Sequence, residues 1–478
     1  MAELGELDVP AVPLGVFGPL IGPERLANLE SAAEVSRALL ASRTLWNINS
    51  TASGGGVAEM LQVLVGYIRG AGIDARWVVI EGDPVFFDIT KRLHNRIHGM
   101  PGDGGVLDDA EAARYAEVCT DNADALIERV RPGDVVLLHD PQTAGLATRL
   151  RQAGARTVWR CHIGTDVSNA WTEQAWAFLR PHLQACEAFV FSRRTYVPGW
   201  VPDDRVAVIA PSIDPFSLKN RDLNPTEMSA MLAGIGLTDR SEQFQPAVSP
   251  VTLRRGDDPP VRVHRRATIV SEGALVDPAE PLVVQVSRWD RLKDMRGVMV
   301  GFAEHVAGRG AAQLALVGPS VTGVTDDPEG AEVLDECVAC WETLPAASRR
   351  RIWIVSLPME DRDENALMVN TLQRSATVVV QKSLVEGFGL TVAEAMWKGK
   401  AVVASAVGGI VDQVVPGTGV LVDPTDLAVF GDTVARLLEQ RDEVARLGEA
   451  ARRHVLDAFV GDRHLLAYAS LIDRLLRT

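Results

Sequence analysis

Short apolar runs rich in Val, Ile and Leu recur along the chain, each followed by a longer amphipathic stretch, and this alternation constrains the fold more than any other feature. In the first half the runs cover residues 44–49, 76–80, 135–139, 157–161, 188–192 and 206–210, with helical periodicity over 57–71 and 111–130 between them. The second half repeats the rhythm at 282–287, 313–317, 352–355, 377–381 and 401–405. Runs that are apolar at every position belong to strands buried on both faces, and helical crossovers between them make the sheet parallel. Two such sets in a chain of 478 residues predict an α/β protein with two Rossmann-like, doubly wound domains facing each other across a cleft. The boundaries read as 1–215 for the first domain and 216–280 for a polar, Pro-rich linker or insertion. The second domain follows at 281–455, and a C-terminal helix at 456–478 is expected to pack back on the first.

Forty-eight basic against 63 acidic residues give a net charge of −15, which disfavours nucleic acid or an anionic membrane as a partner. A few local cations can still hold a small phosphate ligand, and an acidic surface is compatible with a homodimer. Five cysteines are too few and too scattered for a disulfide scaffold, and the Cys337/Cys340 pair has no companion Cys or His cluster for a metal. No apolar run approaches the roughly 20 residues that cross a bilayer. The opening residues, with Glu3, Glu6 and Asp8, lack a charged-then-apolar leader, so a cytoplasmic location is expected.

Ligands of doubly wound sheets bind beyond the carboxyl ends of the strands, so those ends hold the candidates. The first run ends in Asn49-Ser50-Thr51, and Gly54-Gly55-Gly56 then opens a helix whose N–H groups could meet an anion. A tight turn is the competing reading, and Gly54-x-Gly56-x-x-Glu59 lacks the third glycine of a dinucleotide fingerprint. His139-Asp140 and Arg160-Cys161-His162 put polar groups directly after apolar runs, where they need a partner or a ligand. After Ser287 come Arg288, Arg291 and Lys293, suited to a diphosphate or equally to a solvated charge cluster. Between Glu386 and Glu394, the N–H groups of Gly387 to Gly389 and the Glu386 carboxylate suit a hydroxylated ligand. Thr391-x-x-Glu394 is also a capping-box pattern, so Glu394 has two readings. His94/His98 lack the glutamate and third ligand of a zinc site, and the Asp361-Arg362-Asp363 triplet, a pattern that could hold a metal, sits in a polar loop after Pro358, which counts against it.

The Glu386–Glu394 segment resembles the E-x7-E motif of retaining GT-B glycosyltransferases of family 4. Four stretches narrow the resemblance: 47–59 (Asn-Ile-Asn-Ser-Thr-Ala-Ser-Gly-Gly-Gly-Val-Ala-Glu), 86–95 (Phe-Phe-Asp-Ile-Thr-Lys-Arg-Leu-His-Asn), 211–220 (Pro-Ser-Ile-Asp-Pro-Phe-Ser-Leu-Lys-Asn) and 381–397. Together they are similar to the trehalose-forming branch, which holds glycosyltransferring trehalose synthases and retaining trehalose phosphorylases. The resemblance implies that Arg288 and Lys293 hold the diphosphate of a sugar nucleotide. Glu394 would bind its ribose, which favours the ligand reading without removing a capping role. Glu386 would bind the transferred glucose, with Gly387, Phe388, Gly389 and Leu390 beside it. Gly55 and Gly56 would approach the phosphate from the first domain, and Asn49, Asp140 and His162 would lie on the acceptor side. One departure stands out: family members read His-Ile-Asp after Arg-Cys, whereas here Gly164 follows Ile163 and the next acid is Asp166.

The implied reaction is reversible, retaining transfer of glucose from ADP-, UDP- or GDP-glucose to free glucose, giving α,α-trehalose with no cofactor and no metal. Its alternatives within the family are phosphorolysis through glucose 1-phosphate, or a different acceptor. Non-catalytic binding of a sugar nucleotide leaves the reacting-centre residues without a purpose, and the missing third glycine counts against an NAD-dependent oxidoreductase.

Overall fold

The computed structural model describes residues 4–52, 56–239, 251–253, 261–273, 275–321 and 328–477. The chain divides into two compact units, Met1–Ile213 with Phe459–Thr478, and Asp214–Ala458.

The first unit contains β1 (Gly5–Leu7), β2 (Leu45–Asn49), β3 (Ala75–Val79), β4 (Val135–His139), β5 (Arg156–Cys161), β6 (Ala188–Phe191) and β7 (Val206–Val208). They form one sheet in the order β1-β3-β2-β4-β5-β6-β7, parallel except for the edge strand β1. Alternate side chains leave a strand on opposite faces. Trp46, Ile48, Val136, Leu138 and Trp159 therefore pack with helices Pro84–Ile97, Asp109–Ile127 and Ala170–Leu183. Leu45, Val135, Leu137 and Val158 face the other way, against helix Gly56–Gly70 and the C-terminal helix Gly461–Arg477. Two of these helices start at capping boxes, Asp108 with Glu111 and Asn169 with Thr172, which satisfy N–H groups that have no partner within the helix.

The second unit contains β8 (Val251–Leu253), β9 (Val261–Val263), β10 (Thr268–Val270), β11 (Leu282–Val286), β12 (Gln313–Pro319), β13 (Ile352–Leu357), β14 (Val378–Gln381), β15 (Ala401–Ser405) and β16 (Val420–Val422). β8 and β9 form a separate hairpin, and the main sheet runs β10-β13-β12-β11-β14-β15-β16, antiparallel only at β10. Without β10 this is the dinucleotide-fold order, built outward in both directions from β11. The described part of 216–280 is an integral piece of this unit rather than a connection. Helix Pro225–Ile235 buries Met231, Leu232 and Ile235 and packs on helix Arg362–Ser375, while β10 extends the sheet. Asn370 fixes the preceding loop, donating to the carbonyls of Leu218 and Arg221 at 2.9 Å each.

Helix Arg441–Ala458 crosses the turn after helix Leu390–Trp397 so closely that a Cβ on Gly448 would lie 2.0 Å from the Gly399 carbonyl oxygen. Alanine normally gains about 1 kcal/mol over glycine inside a helix. Here the overlap is with backbone, and overpacking of that kind costs about 1–3 kcal/mol. Gly448→Ala should lower the denaturant midpoint of the full chain; a raised midpoint would show that the helix moves away freely.

Candidate active site

In the second unit the strand order reverses between β11 and β14, and the crevice beyond such a reversal is the ligand position of doubly wound sheets. Gln285, fully buried in β11, joins the two loops that leave there. Its Nε2 donates to the Lys293 carbonyl at 2.8 Å, and its Oε1 accepts from the Lys382 N–H at 3.0 Å. Asp290 starts the single turn Arg291–Lys293 by accepting from the Leu292 N–H at 2.8 Å. Asp294, with left-handed backbone (φ 46°), caps helix Met295–His305 and ion-pairs with the buried Lys382. This frame brings Lys293 and Glu386 into direct contact, Nζ to Oε2 2.7 Å, and Ser383 Oγ donates to the same oxygen at 3.1 Å. Arg288 is more open, 57% exposed, with Nη2 2.9 Å from Asp290 Oδ2.

Gly389 begins helix Leu390–Trp397 at φ 85°, a conformation that costs glycine nothing and penalises a side chain. The capping box suggested by Thr391-x-x-Glu394 is not formed. Thr391 is already inside the helix and donates its hydroxyl to Gln381 Oε1 at 3.1 Å. Glu394 is buried, with Oε1 3.4 Å from Lys219 Nζ and Oε2 without a hydrogen-bond partner among the described residues. Leaving such an atom unpaired costs about 1–3 kcal/mol, which a ligand hydroxyl can recover. Behind it, Lys398 Nζ donates to Gln373 Oε1 (2.7 Å), Asn220 Oδ1 (3.0 Å) and the Glu394 carbonyl (3.3 Å), and burial pushes this amine down to about 7. Lys219, Lys382 and Lys398 were not among the candidates read from sequence. Lys219 was within the matched 211–220 stretch, but nothing in a linear pattern sets it beside Glu394.

In the first unit the order reverses between β2 and β4, and His162 follows the next strand, β5. Arg160 Nε donates to His162 Nδ1 at 3.2 Å, His162 Nε2 lies 2.9 Å from His139 Nδ1, and His139 Nε2 lies 3.3 Å from Asn47 Oδ1. A guanidinium only donates, so His162 Nδ1 accepts, its Nε2–H donates to His139, and His139 Nε2–H donates to Asn47. Both rings are neutral in this chain. Burial, reinforced by the Arg160 cation, holds His139 down to about 3 and His162 well below the usual range. Arg160 is fixed from the C-terminal helix, donating to Tyr468 Oη at 2.6 Å. The His162 ring thus faces inward, while its main-chain N–H donates to Asp140 Oδ1 at 2.8 Å. Asp140 has left-handed backbone (φ 62°), burial pushes its carboxyl up to about 7, and its Oδ2 has no partner among the described residues.

Asn49, expected on the acceptor side, is tied locally: Oδ1 accepts from Trp77 Nε1 and Nδ2 donates to the Thr51 carbonyl, both at 2.7 Å. Gly54 and Gly55 lie outside the described residues; Gly56 is the exposed first residue of its helix. No acid fits at Gly164 in this backbone, because a Cβ there would fall 2.2 Å from Tyr196 Cγ. The displaced Asp166 ion-pairs with Arg193 and accepts from Thr195 Oγ1. Asp361 of the DxD triplet caps helix Arg362–Ser375, and His98 Nδ1 contacts the Gly164 carbonyl at 3.0 Å. Among the described residues no group of three or more His, Cys, Asp or Glu side chains could hold a metal ion. No helix among them is long and apolar enough to cross a membrane.

Residues 47–198 match the family model for the trehalose synthase N-terminal domain, and residues 364–454 that for group 1 glycosyl transferases. The chain is 32% identical over 460 residues to a trehalose synthase of Thermococcus litoralis, covering 96% of both proteins. The chain belongs to the trehalose synthase family. A trehalose phosphorylase of Pleurotus pulmonarius is more distant, 26% identical over 440 residues, which is 86% of this chain and 54% of the fungal protein. Among solved structures, the UDP-forming α,α-trehalose-phosphate synthase of Burkholderia vietnamiensis superposes with a TM-score of 0.63 at 16% identity, covering 91% of this chain and 100% of that one. The sucrose-phosphate synthase of Thermosynechococcus elongatus gives 0.62 at 18% identity, covering 91% and 99%. The two Rossmann-like units of this trehalose synthase family member are thus those of the GT-B fold.

The buried histidines of this family member contribute to the pH dependence of its stability. His139, His162 and His464 are all held below the roughly 6.5 of an unfolded histidine. As pH falls below about 6.5 the unfolded chain binds protons that the folded chain refuses, so stability falls. Asp140 acts in the opposite sense between about pH 4 and 7, where the folded chain holds its proton and the unfolded chain does not. His464→Asn keeps a partner for Ser212 Oγ, which lies 2.9 Å from His464 Nδ1. The variant should reduce the slope of unfolding free energy against pH, between about pH 4 and 6, by about 1.4 kcal/mol per unit. An unchanged slope would mean that His464 is charged in the folded chain.

Proposed function

We propose that this chain is a retaining glucosyltransferase that moves glucose from a nucleoside diphosphate glucose to the anomeric hydroxyl of free glucose, forming α,α-trehalose reversibly. The observation that carries this reading is Glu394 Oε2, a buried carboxylate oxygen with no hydrogen-bond donor among the described residues, on the helix that follows β14, the neighbour of β11, after which Arg288 and Lys293 come. Ribose hydroxyls supply such donors, and the two cations suit the adjoining diphosphate. Relatives named trehalose synthase over the whole length support the same assignment.

On this reading the bond from the sugar C1 to the diphosphate oxygen breaks, and a C1–O bond to the acceptor forms on the same face. The acceptor proton passes to the departing phosphate oxygen. Negative charge grows on the diphosphate as C1 becomes oxocarbenium-like, and Arg288, Lys293 and the 387–389 main chain are the groups to meet it. These cations make a metal ion unnecessary for the step. Glu386 would hold a glucose hydroxyl, and Asp140 Oδ2 would receive one from the acceptor. The substrates are small sugars and sugar nucleotides. With a net charge of −15, neither nucleic acid nor an anionic membrane is proposed as a partner.

A phosphorylase reading shares the two cations and is favoured by the resemblance to the fungal enzyme, but glucose 1-phosphate has no ribose for Glu394. The protein is to be incubated with glucose and, separately, ADP-, UDP- or GDP-glucose or glucose 1-phosphate. Trehalose with equimolar nucleoside diphosphate is expected; trehalose from glucose 1-phosphate alone would replace the synthase reading with the phosphorylase one.

Arg288→Ala should lower kcat/KM for the sugar nucleotide by about 10²–10³-fold, the scale of losing one preorganised charge-stabilising group. Near-normal kinetics would remove Arg288 from the site. Glu394→Gln should raise KM for the sugar nucleotide by about tenfold, or about 1.4 kcal/mol, with little change in kcat. An unchanged KM would leave Glu394 with a structural role only.

A further inference from the structure

The first unit carries a second concave surface, of about 380 Å³, between helix Ala170–Leu183, the loop after Ile163 and the turn ending at Trp200. Glu173, Trp176, Ala177 and Arg180 line it at i, i+3, i+4 and i+7, one face of the helix. Opposite them stands Trp200, whose ring meets that of Trp176 edge-on, with centroids 6.3 Å apart and 65° between planes. The Arg180 guanidinium lies 5.9 Å from the centroid of the Trp200 ring. Neither Glu173 nor Arg180 has a side-chain hydrogen-bond or ion-pair partner among the described residues. Trp200 Nε1 is buried and likewise unpaired among them, a state that costs about 1–3 kcal/mol. Gly164 builds this wall, since only the lack of a Cβ lets its loop lie against Tyr196.

These groups select a particular chemistry. A carboxylate and a guanidinium on one helix face each bind two neighbouring hydroxyls. Their charges cancel, so neither a phosphate nor a cation is favoured. Indole rings offer flat apolar surface with a polar edge. A neutral pyranose has the matching parts, vicinal hydroxyls around the rim and an apolar C–H face. The volume lies within the roughly 300–1,000 Å³ of small-molecule sites. We propose that this cavity is a second pyranose-binding site, separate from the reacting centre, on the loop that follows His162. The cavity's own chemistry supports this site, whether or not the chain forms trehalose.

Glu173 and Arg180 are exposed, so the double variant Glu173→Ala/Arg180→Ala leaves the core intact. The full chain and this variant are titrated with D-glucose, with α,α-trehalose and with inorganic phosphate, following heat and tryptophan emission. The wild type should show one more site for a neutral sugar than the variant, or the same site bound at least tenfold more tightly. The glucose and trehalose arms tell whether the preferred occupant is a monosaccharide or a disaccharide. Superimposable sugar isotherms, or phosphate displacing the sugar at this site, would overturn the proposal. So would a rise in KM for glucose during turnover with only a single sugar site, since the cavity would then be the acceptor pocket. Failure of the trehalose-forming reading appears differently, as absent product with sugar binding intact.

Discussion

Gln285 sits within a parallel sheet with no exposure, and a primary amide is tolerable there only because both of its ends are used. The groups it serves, the Lys293 carbonyl and the Lys382 N–H, belong to irregular loops beyond the strands, where no ladder partner exists. One side chain therefore satisfies two main-chain groups and itself, and fixes the loops relative to each other. The Leu384 N–H reinforces the link by donating to the Leu292 carbonyl at 2.8 Å. The contact of Lys293 with Glu386 follows from that frame. Were the amide lost, the buried Lys382 N–H and the part-buried Lys293 carbonyl would be orphaned together, the buried one at about 1–3 kcal/mol.

The first unit solves the same problem with a directional chain. Arg160 can only donate, which sets the tautomer of His162, then of His139, and ends at Asn47 Oδ1. Asn47 Nδ2 is left without a partner among the described residues. Turning the amide round would relieve that atom but force His139 to carry its proton on Nδ1, against the N–H of His162. The orphaned Nδ2 is thus the smaller of two penalties, and Arg160, anchored by Tyr468, imposes the choice. A ring engaged at both nitrogens has none left for a ligand; what His162 contributes toward Asp140 is its main chain.

The long apolar runs were legible because a strand buried on both faces carries few polar positions, and residues such as Asn47, Arg160 and Gln285 interrupt the runs without breaking them. The strands Gly5–Leu7, Thr268–Val270 and Val420–Val422 were not, being three residues each and partly exposed or at a sheet edge. The polar composition of 216–280 suggested a connection, because eleven helical residues with a buried Met, Leu and Ile are too few to outweigh their surroundings. Within the candidate site, the residues at strand ends could be read from position alone. The capping-box reading of Thr391 failed because a pattern does not say where a helix starts, and the left-handed Gly389 starts it two residues earlier. Lys219 and Lys398 needed the fold itself, since their partners Glu394 and Asn220 are far away in sequence.

The two glutamates of the E-x7-E pattern are prepared differently, and the difference bears on selectivity. Glu386 already has Lys293 and Ser383 on one oxygen, whereas Glu394 has Lys219 on one oxygen and, among the described residues, no partner on the other. On the proposed reading, a diphosphate drawn to Lys293 would compete with Glu386 for the same ammonium. As that pair loosens, Glu386 Oε2 would keep Ser383 and have room for a further donor, which a hexose hydroxyl on the same ligand would supply. Phosphate arriving without a sugar would disturb the pair and bring no hydroxyl in return. On the proposed reading the Lys293–Glu386 contact therefore makes recognition of the phosphate and of the glucose a single event, within a chain whose overall charge of −15 would otherwise repel the ligand.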